Sequence, residues 1–478
     1  MSYIPFTNFV FRTPAFSIEK WKNFILDMKK GNNDNLLFDN YFLEAIFIGS
    51  PILYDEILKY REGRLPIKEK ERLFSSLLRY LTRMSWRCTP FGLFSGCSIG
   101  EISDKNEIIL PNENEFKRYT RLDMNYLCAL IQNISQKKEI RSKIKYYPNT
   151  SLYSVSNQLR YIEYTYQNTY RKHNIISVDN STYLQTVLKS AEKGENIDIL
   201  ANKLVNDDIT HEEAEEFILE LIDNQLLVSE LEPSVTGNDV LDTFIKKLCV
   251  INKDFPVIKP LIEIQKLLSN INRLQIGETL SLYDEIIANV KAIGIDFDLK
   301  YLFQTDVVKT PINANISKNI IRDIQEAIIF LNKITPNYEN SNLNNFKSSF
   351  YNRYEDKEMP LSIVMDNEIG IGYPIRKDGD IDPLLKEFYI PYKQKTAKQQ
   401  IDFDRVQFVL NKKYIEAVQH KKIEITISEL DFEQLNENWT DTPDSIMAIC
   451  RILSLKEENA LVYLSSCGGS SAANLLAR

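Results

Sequence analysis

Apolar residues recur at three- and four-residue spacing in two early segments, residues 17–30 (SIEKWKNFILDMKK) and 67–87 (IKEKERLFSSLLRYLTRMSWR). This is the period of an amphipathic helix. In the second segment Leu73, Leu77, Tyr80, Leu81 and Met84 form the apolar face, and Pro90 with Gly92 predicts its end. LFSGCSIG follows as a small-residue strand, in which Gly96 and Gly100 leave room for another backbone or a ligand.

A second pattern begins near Tyr147. LYSVSNQLRYIEYTY reads as two strands around a turn at Asn157–Gln158, and HNIISV as a third. Helical spacing returns in STYLQTVLKSAEK, IDILANKLV and THEEAEEFILELIDNQ. In the last of these Thr210 and Glu213 make a capping box, and Ala214, Phe217, Ile218, Leu221 and Ile222 one apolar stripe. LLVSEL closes the unit as a strand. From residue 240 onward helices dominate, broken by the strand-like YLFQTDVVKT with Asp306 inside it. The pattern predicts an α+β chain in which residues 147–235 form a winged-helix-like module between 1–146 and 236–478.

A winged helix usually lays a basic helix in the major groove. Here the third helix carries Glu212, Glu213, Glu215, Glu216 and Glu220, which repel phosphates, so duplex DNA is not the expected partner. A peptide added as a strand to an exposed edge is.

Composition narrows the class. The chain has 478 residues, 44% hydrophobic and 26% charged, with a net charge of −8, enough to bury more than one core and without a global basic field. Six dispersed cysteines without a CxxC pair, and three isolated histidines, imply neither a metal site nor a bound cofactor. The early apolar run YFLEAIFIGSPILY is interrupted by Glu44 and Pro51, and no secretion signal precedes it. A reduced, cytoplasmic protein is expected.

Against that charge balance, Arg72, Arg79, Arg83 and Arg87 recur at spacings of seven, four and four, a guanidinium stripe about 20 Å long. Such a stripe is a solvated face or an anion site. Trp86 and the tight TPFG turn place Arg87 at a structured point and favour the second. Cys88 within the turn reads as a small buried hydrophobe.

FVFRTP, RMSWRCTPFGLFSG, RLDMNYL, LVSELEP, FQTDVV, RYEDKEMPLSIVMDNEIGIGYP and GGSSAANLLAR, in this order, resemble the N-terminal part of class I lantibiotic dehydratases. The resemblance implies glutamyl-tRNA-dependent transfer of glutamate to Ser and Thr hydroxyls of a ribosomally made precursor peptide, with glutamyl-tRNA as co-substrate. The 147–235 module would then hold the precursor's leader. On the family's motif positions, Arg83, Arg87, Thr89, Asp123, Asp306 and Arg12 are implied in transfer. Thr89 is alternatively a plain turn residue, and for the two aspartates orienting arginines and handling protons remain open. Arg79, Trp86 and Phe91 are candidates for tRNA contact, with Phe94 a third ring for stacking; Phe217, Ile218 and Leu221 are candidates for the peptide. Residues 236–478 are expected to be truncated at their C-terminal end. Elimination of glutamate is expected of a separate elimination-domain protein, with a lanthionine cyclase, an exporter, a homodimer and a complex peripheral to the membrane as further family expectations. The alternative is a fragment that only binds the leader.

Overall fold

In the computed structural model, the described residues are 3–30, 33–167, 170–234, 236–335, 341–373, 404–440, 442–455 and 460–469. The motif GGSSAANLLAR lies outside them beyond residue 469.

Strand β1 (Asn8–Pro14) leads into helices α1 (Ile18–Lys29), α2 (Asn40–Gly49), α3 (Pro51–Arg61) and α4 (Ile67–Trp86). Strands β2 (Ser95–Ser103), β3 (Glu107–Ile109) and β4 (Lys117–Leu122) precede α5 (Met124–Ser135) and α6 (Lys138–Arg141). The next unit runs β5 (Tyr146–Pro148), β6 (Tyr153–Val155), β7 (Gln158–Gln167), β8 (Tyr170–Asp179), α7 (Thr182–Ala191), α8 (Ile197–Asn202), α9 (His211–Asp223) and β9 (Leu227–Ser229). Helices α10 (Val240–Ile251), α11 (Ile258–Arg273) and α12 (Leu280–Ile293) follow, then β10 (Phe303–Val308), β11 (Asn313–Ser317) and α13 (Lys318–Ile334). Helices α14 (Ser341–Tyr354), α15 (Leu361–Met365) and α16 (Arg405–Gln419) and the hairpin β12 (Met447–Ser454) and β13 (Leu461–Gly468) complete the order.

A six-stranded sheet of order β3-β11-β2-β10-β4, with β1 on the other edge of β2, draws its strands from three separated stretches of the chain, 8–14, 95–122 and 303–317. β1 is antiparallel to β2, with Arg12 opposite Cys97 and Thr13 opposite Gly96; β10 is parallel to β2, with Val307 beside Gly96. Both glycines of β2 are needed for this closeness. A Cβ on Gly96 would stand 2.9 Å from Val307 and 3.2 Å from Lys309 Cγ, and one on Gly100 would meet the Phe9 ring and the Ala314 carbonyl at under 3 Å. They admit backbone and side chains of neighbouring strands, the first of the two expectations.

Two cores support the sheet. Phe42, Ile46, Leu73, Leu77, Leu81, Met84, Leu93, Phe94 and Val307 form one. The other joins α5 to the 147–235 unit and to α10–α12 through Leu130, Ile140, Ile218, Leu248, Ile264, Ile271 and Tyr283. The unit therefore shares its core with its neighbours. Its strands fall in two sheets, β5-β9 and β6-β7-β8, and the first turn sits at Ser156 (φ 52°), one residue earlier than expected. The capping box is present, with Thr210 N donating to Glu213 Oε2 at 2.9 Å and Glu213 N to Thr210 Oγ1 at 3.3 Å.

Glu44, the charge that interrupts the early apolar run, is wholly buried and paired with buried Arg118. Glu44 also accepts from Gly277 N at 2.6 Å and from Tyr283 Oη at 3.2 Å, while Arg118 Nε donates to the Ile271 carbonyl at 2.8 Å. The pair ties α2 and β4 to the α11–α12 connection. No helix among the described residues is long and apolar enough to cross a membrane.

Candidate functional site

Helix α4 buries Leu73, Leu77, Leu81 and Met84 and leaves Arg72 and Arg79 exposed. Arg83 departs from that stripe: it is half-buried, its guanidinium lies 4.7 Å from the Phe91 ring centroid, and its Nε is buried with no hydrogen-bond partner. Burial, and then the neighbouring Arg87, lower its pKa. Arg87 caps the helix in extended conformation, its N–H donating to the Arg83 carbonyl at 3.1 Å, and its side chain is exposed. Among the described residues neither arginine forms an ion pair.

The chain then folds into the turn. Ser95 Oγ donates to the Thr89 carbonyl at 2.7 Å, and Ala15 N and Phe16 N donate to the carbonyls of Phe94 and Met84 at 3.0 and 2.9 Å. The segment following Arg12 is thus fastened to both sides of the turn. Cys88, expected as a buried hydrophobe, is an exposed residue. Partial burial of its thiol nevertheless pushes the pKa up, against the opposing influence of Arg12, Arg451 and Lys309.

Side chains alternate across a strand. Arg12, Cys97, Val308, Asp306, Tyr119 and Arg121 consequently share one face of the large sheet. That face is open: Ile99, Val308 and Tyr119 are 64%, 47% and 47% exposed. Asp306 accepts from Arg121 Nη1 at 2.9 Å. Asp123 stands instead at the N-cap of α5, where its Oδ1 accepts from Asn125 N at 2.8 Å. The register brings Arg12, Asp306 and the Thr89 turn to one corner and leaves Asp123 at the far end of β4.

Trp86 and Phe91 are exposed at the rim of this corner, Trp86 edge-on to Trp21. Phe94 is fully buried beside Tyr80 and cannot stack on an incoming base. Ile218 and Leu221 are likewise buried and Phe217 packs against the same core, because α9 needs that stripe to hold the unit together. Ile218 and Leu221 thus support the 147–235 unit from inside and present no contact surface for a peptide, while Phe217 is partly buried against the same core.

Its strands supply the surface instead. Gln225, in the left-handed region at φ 59°, uses its side-chain amide like a strand: Oε1 accepts from Tyr164 N at 3.1 Å and Nε2 donates to the Tyr164 carbonyl at 2.9 Å. Ser151 Oγ accepts from Ile162 N at 2.9 Å, and Asn149 Nδ2 donates to the Ile162 carbonyl at 3.2 Å. The inner edge of β7 is closed by side chains. Since Ile162 and Tyr164 direct their backbone groups away from β8, their partners Ile175 and His173 direct theirs to the outer edge of β8. Among the described residues no strand covers that edge. A cleft of about 530 Å³ lies on the closed side, lined by Tyr147, Asn149, Ile162, Tyr164 and Gln225.

Asp366, in the DNEIG segment, locks this sheet to the chain beyond α15. It accepts from Tyr153 Oη at 2.6 Å, Arg160 Nη1 at 2.8 Å and Glu368 N at 2.9 Å. Burial alone would raise the carboxyl; these bonds outweigh it and hold the pKa at about 2.

Lys309 was missed in the sequence. It is 1% exposed, with Nζ bonded to Thr13 Oγ1 at 3.1 Å and to the Pro14 carbonyl, 4.4 Å from the Phe116 ring centroid. No motif marks it; only the crossing over Gly96 brings it there.

The chain that carries this arginine corner and the open edge of β8 belongs to the family described as "Lantibiotic dehydratase, N terminus", matched over residues 39–478. It is 26% identical over 339 residues to the nisin biosynthesis protein NisB of Lactococcus lactis subsp. lactis, covering 70% of this chain and 33% of that protein. To the epidermin biosynthesis protein EpiB of Staphylococcus epidermidis it is 25% identical over 455 residues, 92% of this chain and 42% of that one. The fold matches that of the tRNA-dependent lantibiotic dehydratase MibB from Microbispora sp. 107891, with TM-score 0.74, 18% identity, and coverage of 96% of this chain and 43% of that one. The chain thus spans between a third and about two fifths of these relatives' length.

Proposed function

We propose that this chain transfers glutamate from glutamyl-tRNA to Ser and Thr hydroxyls of a ribosomally made precursor peptide. The hydroxyl oxygen forms the new ester bond, the bond to the tRNA ribose breaks, and the hydroxyl proton ends on the ribose oxygen. An ester is already activated, so positioning and charge placement supply much of the rate. The observation that carries the reading is Arg83: a half-buried guanidinium with an unsatisfied Nε, next to Arg87 and with no ion pair to a carboxylate among the described residues. Both arginines suit a phosphate or the glutamyl carboxylate through charge-assisted bonds. Arg12 and the Arg121–Asp306 pair flank the same corner, and exposed Arg79, Trp86 and Phe91 lie on the tRNA's approach.

The leader is assigned to the outer edge of β8, pairing with the outward backbone groups of His173 and Ile175. Glutamate elimination is not assigned to this chain.

Mass spectrometry of a precursor peptide incubated with the chain, glutamyl-tRNA synthetase, tRNA and labelled glutamate tests the reading. One glutamyl mass per modified residue is expected, abolished by Arg83→Ala and Arg87→Ala while leader binding persists. Leader binding without any glutamyl addition would leave a recognition protein and overturn the transferase assignment.

A further inference from the structure

Lys309 lies on the opposite face of the sheet from Arg12 and Asp306. Its stem crosses β2 above Gly96, which has no Cβ to obstruct it. Beyond β2 its ammonium meets Thr13 Oγ1 at 3.1 Å, the Thr13 carbonyl at 3.4 Å and the Pro14 carbonyl. Its backbone N–H donates to the Cys97 carbonyl at 3.1 Å and its carbonyl accepts from Ser98 Oγ at 2.6 Å. One residue therefore joins β10, β2 and β1, the strands that carry Asp306, Cys97 and Arg12.

All the oxygens around the ammonium belong to neutral groups; Glu113, the nearest acidic influence, is itself bonded to Lys20 at 2.6 Å. A buried cation without a paired carboxylate is costly to keep, and a structural tie between strands does not require one.

We propose that Lys309 is a positioning residue for glutamyl transfer, gripping the Thr13–Pro14 end of β1 from behind the sheet and so fixing Arg12 against the turn that carries Arg87 and Thr89. This rests on the transferase reading. Burial pushes its pKa down to about 8, against the upward influence of Glu113 and Cys88, the titratable groups that face it. The grip is therefore made by charge-assisted bonds at neutral pH and by the weaker bonds of a neutral amine above about pH 8.

The test is single-turnover transfer from pH 6.5 to 9.5, corrected for spontaneous deacylation of glutamyl-tRNA, in wild type, Lys309→Arg and Lys309→Met. Wild type should lose activity above about pH 8, Lys309→Arg should shift or lose that alkaline limb, and Lys309→Met should transfer at least tenfold more slowly at pH 7 with leader affinity within twofold. Wild-type rates for Lys309→Met, or coincident alkaline limbs for wild type and Lys309→Arg, would overturn it. Amide exchange at Ala15 and Phe16 in the wild type needs no variant to fold: where opening of this segment exposes Lys309, protection, corrected for intrinsic rate, should rise from about pH 8 to 10, because the closed form binds fewer protons there, and protection independent of pH overturns the grip. Absence of transfer at every pH would overturn the activity, and the exchange measurement would still decide what Lys309 holds.

Discussion

Arg121 and Asp306 meet at 2.9 Å across the antiparallel pair of β4 and β10, with side chains 30% and 35% exposed. A pair this wet adds little to stability, about 0.2 to 1 kcal/mol. Asp306→Asn is expected to leave the melting temperature nearly unchanged and to slow transfer at least tenfold by releasing Arg121. Melting curves beside transfer assays check both parts; a large drop in melting temperature would make the pair structural.

Asp123 caps α5, and removing such a cap costs about 1 kcal/mol. Asp123→Ala should lose that stability and Asp123→Ser should regain most of it. Should transfer follow the same order, the cap explains the residue; a transfer defect that persists in Asp123→Ser would assign the carboxylate a role beyond the cap.

Glu44 and Arg118 are buried together, so deleting one strands the other in an apolar interior. Glu44→Ala should cost about 3 to 5 kcal/mol, read as a shift in urea midpoint. The conservative Glu44→Gln should cost less, because its single amide oxygen can still accept from Gly277 N or from Tyr283 Oη.

Asp366 has its carboxyl pKa held at about 2, below the unfolded value of about 3.9. Its stabilisation is fully present above about pH 4 and is lost as pH falls toward 2, a contribution of about 2 kcal/mol. The stability gap between wild type and Asp366→Asn should be constant from pH 8 to 5 and shrink below pH 4. A gap unchanged at pH 3 would count against the assignment.

Lys309 runs the other way. With a folded pKa of about 8 and an unfolded one of about 10.4, the folded protein binds fewer protons between these values, so stability rises with pH there, by at most about 1.4 kcal/mol per unit. Denaturant unfolding from pH 8 to 10 should show that slope in wild type and lack it in Lys309→Met.

Local rules made α4, the turn after it, β10 and the α9 capping box readable, because each is set by neighbours a few residues apart. The resemblance added Arg12, Asp306 and the arginine corner. What stayed hidden depends on partners far along the chain. Glu44 looked like a mere interruption because Arg118 is 74 residues away, and Lys309 meets Thr13 across 296 residues. Ile218 and Leu221, expected at the peptide, turn inward, since periodicity marks a buried face without saying what buries it. The same ambiguity made Phe94 a stacking candidate.

Gln225, Ser151 and Asn149 occupy the inner edge of β7 past the three-residue β6, and the ten-residue β8 is left as the longer of the ribbon's two open edges among the described residues. Under the proposed transfer, a leader paired along that edge would stay at one place while successive hydroxyls of the precursor visit the arginine corner in turn. The length of peptide between anchor and corner, more than any contact at the corner itself, would then set which serine or threonine arrives first.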